Sequence, residues 1–214
     1  MPYTLHKGLK AHFQHKPWQG NNPMLASFLF VGLDANYDAK IHKTLPEIFD
    51  YLCDGVRWWQ TNKEGVHHPF RLIRYAGDGK RYHEKFAEIG FTPENAGLVS
   101  FVELLHLPTV GRSALISSDL SADHLRKLNN IFDNGDAKYI FVSRKVTKLI
   151  RQTRMFPRLN VYPLPMDGSL KVLRKENGKI IYEMYHLSCY GWQLDILNRQ
   201  IAQIRQIVRN FVGG

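Results

Sequence analysis

The most constraining feature of the sequence is one short stretch, Ser27-Phe-Leu-Phe-Val-Gly-Leu-Asp-Ala-Asn-Tyr37. Its apolar run, residues 28–31, lies between Pro23 and Gly32, which predicts a strand that is buried on both faces. Such strands belong to parallel sheets, and parallel sheets bind ligands at the carboxyl ends of their strands. Asp34 lies at that end, and we expect the rest of the chain to be organised around it.

The composition is that of a folded protein. The chain has 214 residues, of which 44% are hydrophobic and 12% aromatic. We therefore expect one domain, residues 1–214, with a full core, and disorder is excluded. The longest apolar run is far shorter than the roughly 18 residues of a membrane span, and the N-terminus has no apolar signal core. We expect a soluble, cytoplasmic monomer, nucleoid-associated if bacterial, with no membrane partner.

The charge of the chain is strongly positive. It has 29 Lys and Arg residues against 19 Asp and Glu, a net charge of +10. This predicts a polyanionic partner, most simply nucleic acid, although the basic residues are spread out and a basic protein need not bind one. Cys53 and Cys189 form no CxxC pair, so no cysteine-based metal site is expected. The pair His67-His68 lacks an evident third metal ligand.

Hydrophobic periodicity and turn residues predict the order of the elements. Strands are expected at residues 27–33, 98–102 and 138–142, in a hairpin at 170–174 and 179–185, and in a short segment at 159–162. Helices are expected at residues 4–14, 44–61, 78–89, 121–132, 144–154 and from 193 onwards, with Ser121 and Ser143 as caps. This order predicts an α/β fold with three layers, α/β/α, and a central, mostly parallel sheet.

Two polar segments follow predicted strands. They are Gly32-Leu-Asp-Ala-Asn-Tyr37 and His186-Leu-Ser-Cys-Tyr-Gly191. In a parallel sheet both open on the same edge, so Asp34 and His186 are expected to face one site. An acid and a histidine across a pocket suit activation of water on one side and stabilisation of a leaving group on the other. Alternatively, Asp34 caps a loop and His186 is a hydrogen-bonded core residue.

These segments resemble the motifs of a known family. Gly32-Leu-Asp-Ala-Asn-Tyr37 is similar to the Gly-Gln-Asp-Pro-Tyr-His motif of the uracil-DNA glycosylase superfamily, and His186-Leu-Ser-Cys189 to its His-Pro-Ser-Pro motif. Val99-Ser-Phe-Val-Glu103 resembles its second strand, which ends in a base-reading Asn, and residues 77–91 resemble its helix with a Gly-aromatic stop. The similarity in layout covers roughly residues 24–195 and is nearest to the outlying, single-strand-selective and mismatch-type branches.

The resemblance implies a uracil-DNA glycosylase-like fold and a role in base excision repair. Such an enzyme flips a damaged or deaminated base out of DNA and hydrolyses its N-glycosidic bond without a metal or other cofactor. Asp34 would stabilise the positive charge on the sugar and orient water, and His186 would donate to the departing base. Ser188 would hold a phosphate beside the flipped nucleotide.

The resemblance also implies contacts with the base and with the DNA. Substrate contacts are expected from Gly32, Leu33, Asn36, Tyr37, Glu103 and a stacking aromatic, Phe70. DNA contacts are expected from a wedge, Tyr190 or Trp192, and from a basic helix that carries Lys145, Lys148, Arg151 and Arg154. The alternatives are that Phe70, Tyr190 and Trp192 pack in the fold, and that the basic helix merely faces solvent.

Some residues depart from the superfamily pattern. Ala35, Leu187 and Cys189 replace motif prolines, and Glu103 stands where the main family has Asn. Asn offers a donor and an acceptor, which match the N3–H and O4 of uracil, whereas an ionised Glu only accepts. An ionised Glu103 would favour a base edge with N–H donors, a protonated Glu103 would allow another pairing, and a Glu103 paired with Arg112 would meet no ligand.

The departures leave two other functions open. One is a non-catalytic nucleic-acid-binding module on the same fold. The other is a doubly wound enzyme that acts on free nucleosides or nucleotides, for which DNA binding would be weak and insensitive to salt. The glycosylase and the module both predict binding to DNA that falls steeply as salt increases.

Overall fold

The computed structural model describes residues 3–111, 114–159 and 168–214. In these ranges the strands are β1 (Thr4–Leu5), β2 (Trp18–Gly20), β3 (Phe28–Gly32), β4 (Asn36–Tyr37), β5 (Val99–Glu103), β6 (Thr109–Val110), β7 (Tyr139–Ser143), β8 (Lys171–Glu176) and β9 (Lys179–Met184). The helices are α1 (Lys10–His15), α2 (Ile41–Thr44), α3 (Glu47–Cys53), α4 (Gly55–Thr61), α5 (Lys80–Ala87), α6 (Ala122–Asn134), α7 (Arg144–Thr153) and α8 (Gln193–Val212). Short 3₁₀ helices lie at Pro69–Arg71, Pro93–Leu98 and Ser117–Asp119.

The centre of the fold is a six-stranded sheet with the strand order β2-β5-β3-β7-β9-β8. The four inner strands are parallel, and β2 and β8 add to the two edges in antiparallel orientation. A smaller sheet with the order β1-β6-β4 joins the N-terminus to the loops that follow β3 and β5. The structure confirms a mixed α/β fold with a central, mostly parallel sheet.

The two faces of the sheet are covered by different helices. Every residue of β3 is buried, as the apolar run predicts. Leu29 and Val31 belong to a core with α6 and α7, whereas Phe28 and Phe30 belong to a core with α5 and α8. A third apolar cluster joins α1, α2 and α3 to the loops that carry Tyr37 and Phe70. This packing is compatible with the expected three layers.

The single helix expected at residues 44–61 is wrong, because the chain is interrupted there. Pro46 precedes α3, and Asp54 lies between α3 and α4 in a non-helical conformation. The Asp54 side chain accepts a hydrogen bond from the Arg57 backbone N–H at 3.0 Å, so it caps α4. A Cβ on Gly55 would lie 2.9 Å from the Gly20 backbone nitrogen, so the chain turns where it approaches β2 closely.

Other elements differ in detail from the expected ones. Residues 4–5 form β1 instead of joining the expected helix at 4–14, because they pair with β6. The short strand β6 is not among the strands that the sequence predicts. Ser121 caps α6, but the Ser143 side chain forms no capping hydrogen bond with α7. The strand expected at 159–162 lies mainly outside the described residues.

Two further features fit the sequence. Asn177 and Gly178 have positive φ angles of 51° and 74°, which is the conformation that a tight hairpin turn between β8 and β9 requires. No helix in the described part of the chain combines the length and the hydropathy that crossing a membrane requires.

Replacing Asp54 with Ala is expected to lower the free energy of unfolding by about 1 kcal/mol, because α4 loses its N-terminal cap. Asp54→Asn is the matched control, since Asn caps as well as Asp and should keep most of the stability. Urea unfolding followed by circular dichroism measures both. Equal losses in the two variants would contradict a capping role.

Candidate functional site

The site lies where the parallel strands end. Asp34 follows β3, Glu103 is the last residue of β5, and His186 follows β9. All three side chains line one cavity of about 220 Å³. The structure therefore brings together the acid and the histidine that the sequence analysis expected to face one site. The cavity is smaller than the roughly 300–1,000 Å³ pockets of drug-sized ligands, so it suits a single heterocycle.

Glu103 depends on the glycine beside it. Gly32 and Glu103 are register partners in the parallel pair β3–β5. A Cβ on residue 32 would lie 2.0 Å from Oε2 of Glu103, so a larger residue here would force the carboxyl group out of its present position. Within the described ranges no residue forms a hydrogen bond or ion pair with that carboxyl group. The alternative partner, Arg112, lies outside the described residues.

The surroundings of Glu103 favour its neutral form. Burial raises the pKa of the Glu103 carboxyl well above its usual value, and the negative charge of Asp34 raises it further. A protonated carboxyl group has one O–H donor and one free acceptor oxygen. Glu103 can therefore offer the same pair of functions as an Asn amide.

Asp34 is held by residues of the small sheet. The Thr109 hydroxyl donates to Oδ2 of Asp34 at 2.5 Å. The Asn36 amide donates to the oxygen of Thr109 at 3.0 Å and also to the carbonyl of Gly111. Since Thr109 is fully buried and its hydroxyl hydrogen is directed to Asp34, it fixes the position of this carboxylate. Asn36 lines the cavity as expected, whereas no sequence signal indicated Thr109.

His186 is an accessible residue at the cavity and not a core histidine. Its Nδ1 accepts the Ser188 backbone N–H at 3.3 Å and lies 2.7 Å from the Ser188 hydroxyl. This pattern assigns the ring hydrogen to Nε2. Close protein atoms lower the pKa of His186 by desolvation, Asp34 opposes this, and Lys145 lowers the pKa further. The neutral ring thus has an N–H donor at Nε2.

Ser188 also lines the cavity, but its hydroxyl is already engaged. Because Nδ1 of His186 acts as an acceptor, the hydrogen of the Ser188 hydroxyl points to that nitrogen. A hydroxyl in this state accepts but does not donate elsewhere, which does not suit a phosphate oxygen. The expected phosphate contact of Ser188 stays a prediction, and the structure shows this residue orienting the imidazole.

Aromatic residues form part of the cavity wall. Phe70 is 3% exposed and stacks on Tyr75, with ring centroids 4.6 Å apart and planes at 8°. It belongs to an apolar cluster and also borders the cavity, so it packs in the fold, and its stacking on a base stays a prediction. Tyr37 lines the cavity too, and its buried hydroxyl has no partner in the described ranges. By contrast, Leu33 belongs to the core with α6 and α7 and lines the outer cavity described below, so its contact with a substrate stays a prediction.

Three buried histidines, His67, His68 and His83, form a cluster beside the cavity. Nε2 of His67 lies 3.0 Å from Nδ1 of His83, and the rings of His68 and His83 stack with centroids 3.6 Å apart. Burial lowers the pKa of all three, that of His83 to about 3. In the part of the chain that the structure describes, no group of three His, Cys, Asp or Glu side chains is arranged to hold a metal ion.

Sequence reasoning missed part of the cavity lining. Gln19 on β2 and His83 on α5 both line it, together with Tyr82 and Phe101. Of the pair His67-His68, His68 lines the cavity. Gln19 lies in no recognisable motif, and the segment 77–91 that contains His83 resembles only a helix of the superfamily, so only the folded chain shows that these two residues line the cavity.

A second, more open cavity of about 500 Å³ adjoins the first and shares Asp34 and His186 with it. Ser143 and Lys145, at the start of α7, line this outer cavity. Ser143 is 5% exposed, and its hydroxyl has no hydrogen-bond partner within the described residues. Together with the N-terminus of α7 and the exposed Lys145, it forms a side of the cavity that favours an anion, whereas the carboxylates of Asp34 and Asp78 line the rest of that cavity and oppose one.

The aromatic residues expected as a wedge lie on the surface. Tyr190 is 76% exposed and Trp192 is 60% exposed. Gly191 between them has a φ of 63°. Trp192 makes only a distant edge contact with Tyr185, at 6.3 Å between ring centroids. These two side chains therefore do not pack in the core.

Comparisons with known proteins supply no family for the chain. No protein-family model matches it, and no curated protein sequence is significantly similar to it.

Acidification is expected to destabilise the fold through the histidine cluster. Burial lowers the pKa of His83 from 6.5 to about 3, so between these pH values the unfolded chain binds a proton that the folded chain does not. Stability is therefore full above pH 6.5 and falls as the pH falls, by up to about 1.4 kcal/mol per pH unit for one such group.

Urea unfolding between pH 7.5 and 5 measures this dependence. His83→Gln should flatten it, whereas His15→Gln, on the exposed side of α1, should leave it unchanged. An unaltered slope in His83→Gln would show that this group is not the cause.

Proposed function

We propose that the protein is a DNA glycosylase of the uracil-DNA glycosylase type, which hydrolyses the N-glycosidic bond of a deaminated or damaged base that has left the DNA stack. One observation carries the proposal. An oriented carboxylate, a neutral histidine with a free N–H and a buried acid line one small cavity at the carboxyl edge of a parallel sheet.

The size and place of the cavity support a flipped base as the ligand. The glycosidic bond of a stacked nucleotide is inaccessible, so an enzyme must move the nucleotide out of the helix to reach it. The cavity of about 220 Å³ would take the base, with Phe70 and Tyr37 in its wall. The adjoining outer cavity, which shares Asp34 and His186, would take the sugar and a phosphate.

The catalytic groups match the charges that develop in the reaction. The bond between C1′ and the base nitrogen breaks with its electron pair going to the base. Water supplies the hydroxyl to C1′, and its remaining proton ends on the departing base. The Asp34 carboxylate, held by Thr109, would stabilise the cationic sugar and orient that water. The Nε2–H of His186 would donate to the base oxygen on which negative charge develops.

Glu103 would recognise the edge of the base. In its neutral form it donates to a carbonyl oxygen and accepts from a ring N–H, which is the pattern of uracil and of other bases with a lactam edge. This pattern supports deaminated bases as substrates, in preference to bases whose edge carries only N–H donors. The superfamily's Asn is thereby replaced in function by a protonated acid.

The surface around the cavity suits DNA. Lys145 lines the outer cavity, and Lys148 is exposed one turn further along α7. The buried Ser143 hydroxyl at the start of α7 would donate to a phosphate, a role expected for Ser188 from the resemblance. Tyr190 and Trp192 project from the loop after His186, where one of them would fill the gap left by a flipped base.

The first experiment is a panel of single- and double-stranded oligonucleotides with uracil, hypoxanthine, xanthine or oxidised pyrimidines, followed by alkaline cleavage of abasic sites. Asp34→Asn and His186→Gln are each expected to slow excision by about 10²–10³-fold, because each removes an interaction with developing charge. Asp136→Asn, an exposed acid, is the matched control. No excision of any base, together with salt-sensitive DNA binding, would leave the non-catalytic module as the better account.

Variants of Glu103 test its protonation. Glu103→Gln keeps a donor and an acceptor, so excision of the preferred base is expected to stay within about tenfold of wild type. Glu103→Ala leaves the polar base edge unpaired and should slow excision by about ten- to a hundredfold. If Glu103→Gln is as slow as Glu103→Ala, the acid acts in its ionised form and the assignment is wrong.

A further inference from the structure

Gln19 is a polar residue of the cavity that the catalytic scheme leaves without a role. It lies in the middle of β2 and is 7% exposed, and it pairs in register with Phe101 of β5. Both residues line the cavity that Glu103 and Asp34 also line. Its hydrogen bonds indicate which way the amide faces in the cavity.

The histidine cluster fixes the orientation of this amide. Nδ1 of His68 accepts the Phe70 backbone N–H at 3.1 Å, which assigns the ring hydrogen to Nε2. Nε2 lies 3.3 Å from Oε1 of Gln19, so His68 donates to the amide oxygen. The amide nitrogen, with its two N–H donors, has no hydrogen-bond partner within the described residues.

We propose that Gln19 is a specificity-determining residue that donates an N–H to a carbonyl oxygen of the base in the cavity, and that His68 is the positioning residue that holds its amide in this orientation. The inference rests on the proposed function, which it makes more specific. A carbonyl oxygen accepts the Gln19 N–H, whereas the amino group of cytosine or adenine would place donor against donor. Rejection of these bases then comes from buried donors left unpaired.

Binding measurements test this separately from catalysis. In the Asp34→Asn background, fluorescence anisotropy gives the affinity for single-stranded oligonucleotides that differ at one base, uracil against cytosine and hypoxanthine against adenine. The protein with Gln19 intact is expected to prefer the carbonyl-bearing base by about tenfold or more, which is one hydrogen bond gained or lost.

Replacing the amide should weaken this preference by the share of one hydrogen bond. Gln19→Met, similar in length and without donors, is expected to lower the preference for the carbonyl-bearing base about tenfold in each pair, and the preference that remains is the contribution of Glu103. Gln19→Asn, which keeps an amide but is one methylene shorter, is the second variant in case Gln19→Met does not fold. His68→Phe should weaken the preference because the amide is free to turn. Gln206→Leu, on the exposed face of α8, is the control.

The possible results are distinct. A preference that is as large in Gln19→Met and Gln19→Asn as in the protein with Gln19, or that is absent with Gln19 intact, overturns the inference. A preference unchanged in His68→Phe overturns the positioning role. If no oligonucleotide is excised but the preference depends on Gln19, the inference stands and the glycosylase proposal fails.

Discussion

The parallel register between β3 and β5 is the constraint on which the rest of the site depends. It places Gly32 beside Glu103, and the space left by the missing Cβ is occupied by the Glu103 carboxyl group. A slip by one residue would turn every side chain of the strand to the other face and remove the acid from the cavity. The same register sets Glu103 close to Asp34, so that burial and a neighbouring negative charge keep its proton in place. Two acids at one sheet edge thereby acquire different tasks.

Each polar group of the cavity is oriented by a second residue. Thr109 donates to Asp34, Ser188 donates to His186, and His68 donates to Gln19. In every case the hydrogen bond fixes the position of the group at the cavity. Fixed donors and acceptors of this kind need no reorganisation when charge develops, which is what makes electrostatic stabilisation effective in a dry cavity.

The sequence was informative where a site residue follows directly on a strand. Asp34 and His186 were predicted to meet because parallel strands end at one edge, and no long-range information is needed for that. Gln19 and Thr109 lie on very short strands, whose positions depend on pairing with distant segments and not on a local pattern. The protonation of Glu103 is likewise a property of its surroundings in the fold.

The helices show the same difference between features that a local sequence pattern predicts and features that tertiary contacts decide. The apolar stripe from Ile48 to Trp59 continues through the interruption at Asp54, so periodicity alone indicated one helix. The chain is broken there because it must pass close to β2, a tertiary contact. Of the function, the sequence could supply the chemistry of an acid and a histidine, whereas the direction of each hydrogen bond required the folded chain.

The strand order has a consequence for how the protein forms during synthesis. Asp34 and Glu103 belong to the first half of the chain, whereas His186 follows β9, which pairs with the inner strand β7. A nascent chain therefore exposes an unpaired edge of β7 until the β8–β9 hairpin leaves the ribosome. The last inner strand to be made therefore closes the sheet and brings His186 to the edge that carries Asp34 and Glu103 in the same step, before α8 completes the core.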